Sequence, residues 1–359
     1  MDREKLKRIY EVIFEKSEIR ITNFVSNHLE RNRVKKLLNK KDKLSREYKK
    51  EIKEFWSKYT NIKPYWHKLY SSRSGCYDVR YIPEDLYYSK IDQYFNNMKY
   101  GWGVNDKNYY SMWFSDIKQP RTLIRIINGL FYSENYKLIN KKQAVDILSD
   151  HAKFIIKPSV ETGKSKGIVF FEKEKNNKSI EELIDELPGK NYIVQEIIRQ
   201  HHKLSEVHES SINTVRVMSI ILDNKVNIVS AVLRMGVNGS SVDNASAGGI
   251  ACGIKKDGKL RDVAHTIKGD SYTVHPQGFV FKDAEIPSYN EILDLVKKAH
   301  EKLAHFRLVS WDVAVDENGE PILIEANMRK GGATVHQFNN GPLFGELTEK
   351  VLEEVFGKK

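Results

Sequence analysis

The sequence predicts an α+β, or mixed α/β, fold, and three observations support this prediction. Apolar residues recur at helical spacing in segments near both ends of the chain. Between those segments, short apolar runs are separated by residues that favour turns, which is the pattern of β-strands. Two of the runs flank Asn318-Gly319, a dipeptide typical of antiparallel hairpins. Helices and antiparallel hairpins in one chain of 359 residues indicate a mixed architecture with room for two or three domains.

The segment 1–70 is predicted to be basic and helical. Residues 3–58 carry apolar side chains at helical spacing, and the first residue that would break a helix is Pro64. The segment holds 20 Lys and Arg against 10 Asp and Glu, so it carries +10 of the net charge of +11. Two interpretations stay open: a solvated helical pair that packs on the rest of the protein, and a surface that meets anionic lipid or a phosphate-bearing carrier. Nucleic acid is not an expected partner, because no recognition motif accompanies the charge.

The remaining elements follow from periodicity and turn residues. Helices are predicted over 141–148, 180–187, 289–305 and 347–356, and strands over 154–157, 168–171, 191–198, 213–222, 225–234 and 249–254. No apolar run of about 18 residues occurs, the N-terminus lacks the apolar core of a signal peptide, and Cys76 and Cys252 lie far apart. These features predict a reduced, cytoplasmic protein, placed at the inner face of the membrane if the basic segment binds lipid.

Lys157 is a candidate for binding phosphate. It ends an apolar strand and precedes a loop with Gly163 and Gly167, whose backbone N–H groups could lie over phosphate oxygens. The alternative is a surface lysine whose stem packs along the strand. The tripeptide at 163–165 is not part of a P-loop, because that motif requires a glycine where Pro158 stands.

The hairpin around Asn318-Gly319 predicts a magnesium site. A two-residue type I′ turn would place Glu317 opposite Glu320, and therefore Asp312 opposite Glu325, with Asn327 further along the same face. Like charges so placed destabilise a sheet unless a cation lies between them, and carboxylate and amide oxygens are ligands that Mg²⁺ prefers. The alternative is an ordinary hairpin with both acids in solvent. The same register pairs Trp311 with Ala326, Val313 with Ile324 and Val315 with Ile322 on the apolar face.

The loop at 236–253 is predicted to face substrate. It is rich in small residues, and Asp243 and Asn244 stand near glycines such as Gly248 and Gly249, which let backbone approach a ligand closely. The alternative is a flexible surface loop.

These residues together resemble the ATP-grasp superfamily over about residues 100–350. The resemblance rests on Lys157 with its glycine loop, the strands YIVQEII and NTVRV, and Asp312 followed by Glu325-Ala326-Asn327. The segments SSINTVRV and ASAGGIACGI are similar to the sugar-transfer-associated group of bacterial surface-polysaccharide loci. The resemblance implies an ATP-grasp fold with ATP between two sheets. It also implies four parts: a basic helical segment at 1–70, an N-terminal subdomain at 71–145, a lid at 146–205, and a subdomain with the magnesium site at 206–359.

The resemblance also implies roles for individual residues. Lys107 and Lys157 would bind the phosphates of ATP, and Asp312, Glu325 and Asn327 would hold Mg²⁺. The adenine would lie against Gln195, Glu196 and Ile198, and the ribose would contact Glu206, Asn213 or Thr214. Arg216 would meet the γ-phosphate, and Arg234 would neutralise an acyl phosphate. Ser310 departs from peptide-forming relatives, which often carry an arginine there, so Arg234 or Arg329 would compensate.

The activity implied is an ADP-forming carboxylate–amine ligase with an acyl-phosphate intermediate. The substrates would be a sugar or amino-acid carboxylate and an amine, free or on a nucleotide- or lipid-linked sugar, in capsule or O-antigen biosynthesis. Two alternatives stay open: a kinase of the same fold that phosphorylates a hydroxyl, and a non-catalytic nucleotide-binding scaffold.

Overall fold

The computed structural model describes residues 21–357 except for 22, 26, 161–166, 238, 241–242, 244–247 and 330, and except for the side chain of residue 102. The chain divides into two compact units, Met1–Phe95 with Gly332–Lys359 and Asn96–Gly331. The four-part division expected from the sequence stays a prediction. No helix within the described ranges is long and apolar enough to cross a membrane.

The helices and strands are named here in chain order. The helices are α1 (21–37), α2 (Arg46–Ser57), α3 (Tyr65–Ser74), α4 (Glu84–Leu86), α5 (Asp92–Phe95), α6 (Gly101–Val104), α7 (Tyr110–Trp113), α8 (Lys141–Ser149), α9 (Ile180–Asp185), α10 (His202–Ser205), α11 (Tyr289–Glu301), α12 (Ala333–Asn340) and α13 (Thr348–Phe356). A π-helical turn at Tyr87–Ile91 joins α4 to α5, and 3₁₀ turns occur at Met98–Tyr100, Lys107–Tyr109 and Gly345–Leu347. The strands are β1 (Thr122–Ile127), β2 (Leu130–Ser133), β3 (Leu138–Ile139), β4 (Lys153–Pro158), β5 (Val169–Glu172), β6 (Tyr192–Gln195), β7 (Thr214–Leu222), β8 (Lys225–Met235), β9 (Ile250–Ile254), β10 (Leu260–Thr266), β11 (Ser271–Tyr272), β12 (Leu308–Val315) and β13 (Pro321–Asn327).

The first unit is helical. The helix predicted over 3–58 breaks at 38–45, between α1 and α2, and its residues before 21 lie outside the described part. Ser45 begins α2 by accepting a hydrogen bond from the Tyr48 amide at 3.0 Å, as Ser does at helix N-termini. The unit's core is built from aromatic and aliphatic side chains of α1, α3, α12 and the segment between α3 and α4: Val34, Trp66, Leu69, Tyr70, Tyr81 and Phe338.

The second unit contains two antiparallel sheets, in agreement with the predicted mixed fold. The six-stranded sheet has the order β3-β2-β1-β6-β4-β5 and carries Lys157 on β4. The seven-stranded sheet has the order β11-β10-β9-β8-β7-β12-β13 and carries the two candidate metal carboxylates. Its apolar face packs on α11, whose Ile292, Val296 and Ala299 are fully buried.

The hairpin β12–β13 corrects the predicted turn. The loop contains three residues, with Asp316 paired to Glu320 and a hydrogen bond from the Gly319 amide to the Asp316 carbonyl at 2.9 Å. Gly319 has a φ of 82°, whereas Asn318 is not among the described residues with positive φ, so the turn is not type I′. Asp316 also stabilises the loop by accepting the Asn318 and Glu320 amides at 3.0 and 2.8 Å.

A β-bulge then restores the predicted register at the acidic residues. From the turn, Val315 pairs with Pro321 and Val313 with Leu323, so the predicted pairs Val315–Ile322 and Val313–Ile324 are wrong. Ile324 is an extra residue on β13, between Leu323 and Glu325. Beyond it, Asp312 faces Glu325 and Trp311 faces Ala326, as predicted.

Candidate active site

Asp312 lies at the centre of an ion-pair cluster on the seven-stranded sheet. Its Oδ1 and Oδ2 accept hydrogen bonds from Nε and Nη2 of Arg216, both at 2.7 Å, and Oδ2 also accepts one from Nη1 of Arg234 at 2.9 Å. Burial alone would raise the pKa of Asp312, but the two guanidinium groups outweigh burial and hold that pKa well below its usual value. Asp312 is therefore ionised at neutral pH.

The strand order explains this cluster. Because β7 lies beside β12, Arg216 is directly opposite Asp312 in the ladder. The next strand, β8, pairs Arg234 with Thr214, two residues from Arg216 on the same face of β7. Arginine side chains are long enough to reach a carboxylate one or two strands away, and their planar fork suits bidentate pairing.

Glu325 is paired with Lys107, at 2.5 Å between Nζ and Oε1. Burial and the charge of Asp312 act to raise the pKa of Glu325, but Lys107 and Arg216 outweigh them, so this pKa is lowered. Each of the two opposed carboxylates thus has cationic partners of its own.

The turn at Lys107–Tyr109 is fixed to β13 by its neighbour Tyr110. The Tyr110 hydroxyl donates to the Ala326 carbonyl at 3.3 Å and accepts from the Ala326 amide at 3.1 Å. The buried guanidinium of Arg125 supports the same turn by donating to the Asn108 carbonyl at 2.6 Å. These contacts place Lys107 beside Glu325.

Lys157 faces the same region from the six-stranded sheet. Burial, followed by the nearby charge of Lys107, lowers its pKa to about 8, and Glu325 offsets part of that shift. The Lys107 amide donates to the Ser159 carbonyl at 2.8 Å, so a backbone contact joins the two lysine-bearing segments. Two lysines whose charges repel each other form a site that a polyanion would stabilise.

The donor set of this site fits Mg²⁺. Asp312 and Glu325 supply carboxylate oxygens on one face, and the Asn327 amide nitrogen is buried with no hydrogen-bond partner among the described residues. Rotation of that amide by half a turn exchanges its nitrogen and oxygen, so no existing hydrogen bond prevents the oxygen from facing a cation. Carboxylate and amide oxygens suit Mg²⁺. The described residues contain no group of three or more His, Cys, Asp or Glu that could hold a metal, so the candidate donors here are two carboxylates and the Asn327 amide.

Asp243 extends the cluster toward the predicted substrate loop. One of its oxygens accepts from Nη2 of Arg234 at 3.2 Å, and the other accepts from the Thr214 hydroxyl and from the Thr214 amide, the latter at 3.2 Å. Burial raises the pKa of Asp243, and Arg234 opposes this shift. Arg234 therefore joins the loop residue Asp243 to the central Asp312. Gly248 has a φ of 99°, Gly249 is buried, and Asn244 lies outside the described residues.

The residues expected around adenine lie at the end of β6 and just beyond it. Gln195 is buried, and its Nε2 donates to the Pro120 carbonyl at 3.1 Å. Its Oε1 is buried with no hydrogen-bond partner in the described structure. Glu196 and Ile198 line a surface cavity of about 340 Å³ together with residues of 118–121 and 316–322.

The other predicted residues have varied surroundings. Asn213 is fully buried and donates to the Leu204 and His208 carbonyls, both at 2.8 Å, so its amide nitrogen is already used within the protein. Glu206 and Arg329 are exposed, and Ser310 is buried with its hydroxyl donating to the Gly331 carbonyl at 3.0 Å. Gly167 has a φ of 80° and lies against Pro158, whereas Gly163 lies outside the described residues.

Sequence reasoning missed the residues that hold Lys107 and Lys157 in place. Tyr110, Arg125 and Ser159 act through Lys107 or Lys157, and no motif distinguishes them from ordinary core residues. The one signal in the sequence for such a role was Arg125 itself, a charged residue inside the apolar run TLIRII of β1.

Comparisons with known proteins identify similar chains. The family described as sugar-transfer associated ATP-grasp matches residues 88–352. No curated protein sequence matches the chain. Among solved structures, the ATP-grasp ligase PsnB complexed with minimal precursor is 12% identical, with 72% of this chain and 64% of that chain covered and a TM-score of 0.42. D-cycloserine synthetase DcsG is 13% identical, with 72% of this chain and 73% of that chain covered and a TM-score of 0.41. D-alanine–D-alanine ligase from Bacillus anthracis is 12% identical, with 72% of this chain and 69% of that chain covered and a TM-score of 0.42. The chain thus spans less than two thirds of the length of PsnB.

Proposed function

Because the chain belongs to the sugar-transfer associated ATP-grasp family, we propose that it is an ADP-forming ligase that joins a carboxylate to an amine. The observation that supports this proposal best is the cluster in which Lys107, Arg216 and Arg234 neutralise the opposed carboxylates of Asp312 and Glu325. The same cations can neutralise phosphates, and the same carboxylates can bind a cation.

The proposed role of the two lysines is to bind the phosphates of ATP. Lys107 and Lys157 converge from two segments joined by a backbone hydrogen bond, and the charge of Lys107 helps to lower the pKa of Lys157. A triphosphate between them would remove that repulsion, because opposite charges favour the protonated form. Gln195, Glu196 and Ile198 would bind the adenine, and Thr214 or Glu206 would contact the ribose.

Asp312, Glu325 and Asn327 would hold Mg²⁺. When bound, the ion would supply positive charge that neutralises phosphate oxygens during transfer. For the ion to bind, Arg216 and Arg234 must give up some of their hydrogen bonds to Asp312. Lys107 must likewise give up its ion pair with Glu325. The incoming phosphates offer these cations alternative acceptors, so the exchange keeps every charge paired.

The proposed reaction has two steps. A carboxylate oxygen of the first substrate attacks the γ-phosphorus of ATP, the bond from that phosphorus to the bridging oxygen breaks, and ADP leaves. An amine then attacks the carbonyl carbon of the acyl phosphate, and the carbon–oxygen bond to phosphate breaks. The amine loses a proton, and an amide and inorganic phosphate result. Arg216 would bind the transferred phosphoryl group, and Arg234, with Arg329, would neutralise the oxyanion that forms in the second step.

The substrate class follows from the family and from the loop at 236–253. We assign one substrate to a sugar or amino-acid carboxylate and the other to an amine, destined for a surface polysaccharide. Asp243, Asn244, Gly248 and Gly249 would contact these substrates. Asp243 already pairs with Arg234, so a substrate group bound at this loop would lie close to the proposed reaction centre.

Hydroxylamine trapping tests the proposal. The purified protein is incubated with ATP, Mg²⁺, hydroxylamine and a panel of uronic acids and amino acids. An acyl phosphate yields a hydroxamate together with ADP, and this result is expected for at least one carboxylate. ADP formation with a phosphorylated alcohol and no hydroxamate would indicate a kinase instead. ATP binding with no turnover across the panel would favour a nucleotide-binding scaffold.

A further inference from the structure

Helix α1 presents apolar side chains to solvent. Ile21, Phe24, Val25 and Leu29 are between 49% and 74% exposed. They recur at three- and four-residue spacing, so they lie on one face of the helix. We call these four residues the outward apolar face of α1. A helix in a soluble unit normally buries such a face, which makes this orientation informative.

The opposite face of α1 packs through the buried Val34 and through polar contacts. The Asn23 amide donates to Oε1 of Gln93 at 3.3 Å, and Nη1 of Arg33 pairs with Glu84 at 2.7 Å and with Glu30 at 3.1 Å. Glu84 is almost completely buried, so its contact with Arg33 fixes the rotation of the helix about its axis. The outward direction of the apolar face follows from these inward contacts.

Lysines continue the same face toward the C-terminal end of the helix. Lys36 follows Val25 and Leu29 at helical spacing and is exposed, as is Lys35. At 1.5 Å per residue, Lys36 lies about 10 Å along the axis from Leu29. The face therefore combines an apolar half with a basic half.

The charge beyond α1 has the same sign. Residues 31–50 contain ten Lys and Arg but only two acidic residues, Asp42 and Glu47. Asp42 is buried and paired with Arg73 at 3.0 Å, so it offers little negative charge to a partner. Lys40, Lys41 and Lys43 are exposed.

We propose that the outward apolar face of α1, with Lys35 and Lys36, docks on an anionic lipid surface. Apolar side chains of an interfacial helix insert at the boundary between headgroups and acyl chains, and adjacent lysines pair with anionic headgroups. A second copy of the chain is a poorer occupant, because two surfaces with this excess of positive charge repel each other. This inference is independent of the proposed ligase reaction.

The test is co-sedimentation of the full-length protein with vesicles of phosphatidylcholine containing about one third phosphatidylglycerol, compared with pure phosphatidylcholine. Binding is expected to the anionic vesicles at low salt and to weaken strongly as salt shortens the Debye length from about 10 Å at 0.1 M to about 3 Å at 1 M. The double variant Phe24→Ser/Leu29→Ser should lose at least about tenfold in partition coefficient. The double variant Lys35→Glu/Lys36→Glu should bind the anionic vesicles more weakly, and its binding to pure phosphatidylcholine should not change.

Tyr77→Ser is the matched control, since Tyr77 is 63% exposed in the same unit but lies outside α1. It should bind like the unaltered protein, and circular dichroism should show that all variants fold. Failure of the full-length protein to bind anionic vesicles at low salt would overturn the proposal, as would unchanged binding by Phe24→Ser/Leu29→Ser. A dimer that this double variant converts to a monomer would assign the face to a second copy instead. A large loss of thermal stability in the double variant would mean that the chain itself covers the face.

Discussion

Asp312 lies directly opposite Glu325 on β12 and β13, and different cationic side chains neutralise the two carboxylates. Asp312 pairs with Arg216 and Arg234, whereas Glu325 pairs with Lys107. Two like charges in facing positions destabilise a sheet, so these cations are necessary for the hairpin in the absence of ligand. The arrangement links the stability of the protein to the groups that would handle Mg²⁺ and ATP.

Asp312→Asn should therefore lower both activity and stability. Removing this charge leaves Arg216 without its carboxylate partner and Arg234 with Asp243 alone, and loss of one partner of a buried pair costs about 3–5 kcal/mol. Glu325→Gln should abolish turnover with a smaller loss of stability, because the Glu325 side chain is 26% exposed whereas that of Asp312 is 5% exposed. Asn327→Ala should raise the Mg²⁺ concentration needed for half-maximal activity. Thermal unfolding and Mg²⁺ titrations of ATP turnover measure these effects.

Glu291→Gln, in the exposed first turn of α11, is the control and should change neither quantity appreciably. Near-normal turnover in any two of the three site variants would contradict the metal assignment.

ATP binding should take up a proton at alkaline pH. The pKa of Lys157 is lowered to about 8, so an increasing fraction of the side chain is neutral above that pH in the free protein. Phosphates favour the charged form and raise this pKa, so the complex holds more protons than the free protein. The dissociation constant for ATP should therefore increase with pH above about 8, by up to tenfold per unit for one proton.

Isothermal titration calorimetry in buffers of different ionisation enthalpy measures that proton directly at pH 8.5–9.5, where ATP itself no longer titrates. In Lys157→Arg the guanidinium stays charged, and the uptake should disappear. Equal proton uptake in the variant would place the titrating group elsewhere.

Tyr110→Phe should weaken ATP binding without removing any group that touches ATP. Its hydroxyl donates to and accepts from the backbone of Ala326, and this contact positions the turn with Lys107. Loss of a neutral hydrogen bond costs about 0.5–1.5 kcal/mol, so the KM for ATP should rise roughly three- to tenfold. Tyr109→Phe, at a tyrosine whose ring stacks on Tyr136, is the matched control. An unchanged KM in Tyr110→Phe would mean that other contacts suffice to hold Lys107.

The sequence predicted the facing pair Asp312–Glu325 for a reason that was only partly right. The turn contains one residue more than the Asn318-Gly319 signal indicates, which shifts the pairing of Val313 and Val315 by one position. The bulge at Ile324 shifts it back before Glu325 is reached. Local turn preferences could not reveal the bulge, because it depends on how β13 packs in the sheet.

Pairings between distant segments could not be predicted from the sequence, for a different reason. The contact of Arg216 with Asp312 requires β7 to lie beside β12, although the two residues are 96 positions apart. Periodicity predicts which face of a strand a residue occupies but not which strand lies next to it. The outward apolar face of α1 was missed similarly, since helical spacing alone does not tell which side of a helix meets solvent.

Asp243→Asn should impair the use of the substrates other than ATP. Asp243 bridges Thr214 and Arg234, and Arg234 also donates to Asp312, so this carboxylate holds its part of the loop at 236–253 close to Asp312. Asparagine keeps the size of the side chain but loses the charge that attracts Arg234, which should then pair with Asp312 alone. We expect the KM for the carboxylate or the amine to rise at least about tenfold, or about 1.4 kcal/mol, with the KM for ATP changed less than about twofold. Steady-state kinetics with each substrate varied in turn separates these constants, and Asp257→Asn, in the exposed turn before β10, should leave all of them unchanged. If Asp243→Asn raised only the KM for ATP, Asp243 would belong with the nucleotide-binding residues rather than with the substrate loop.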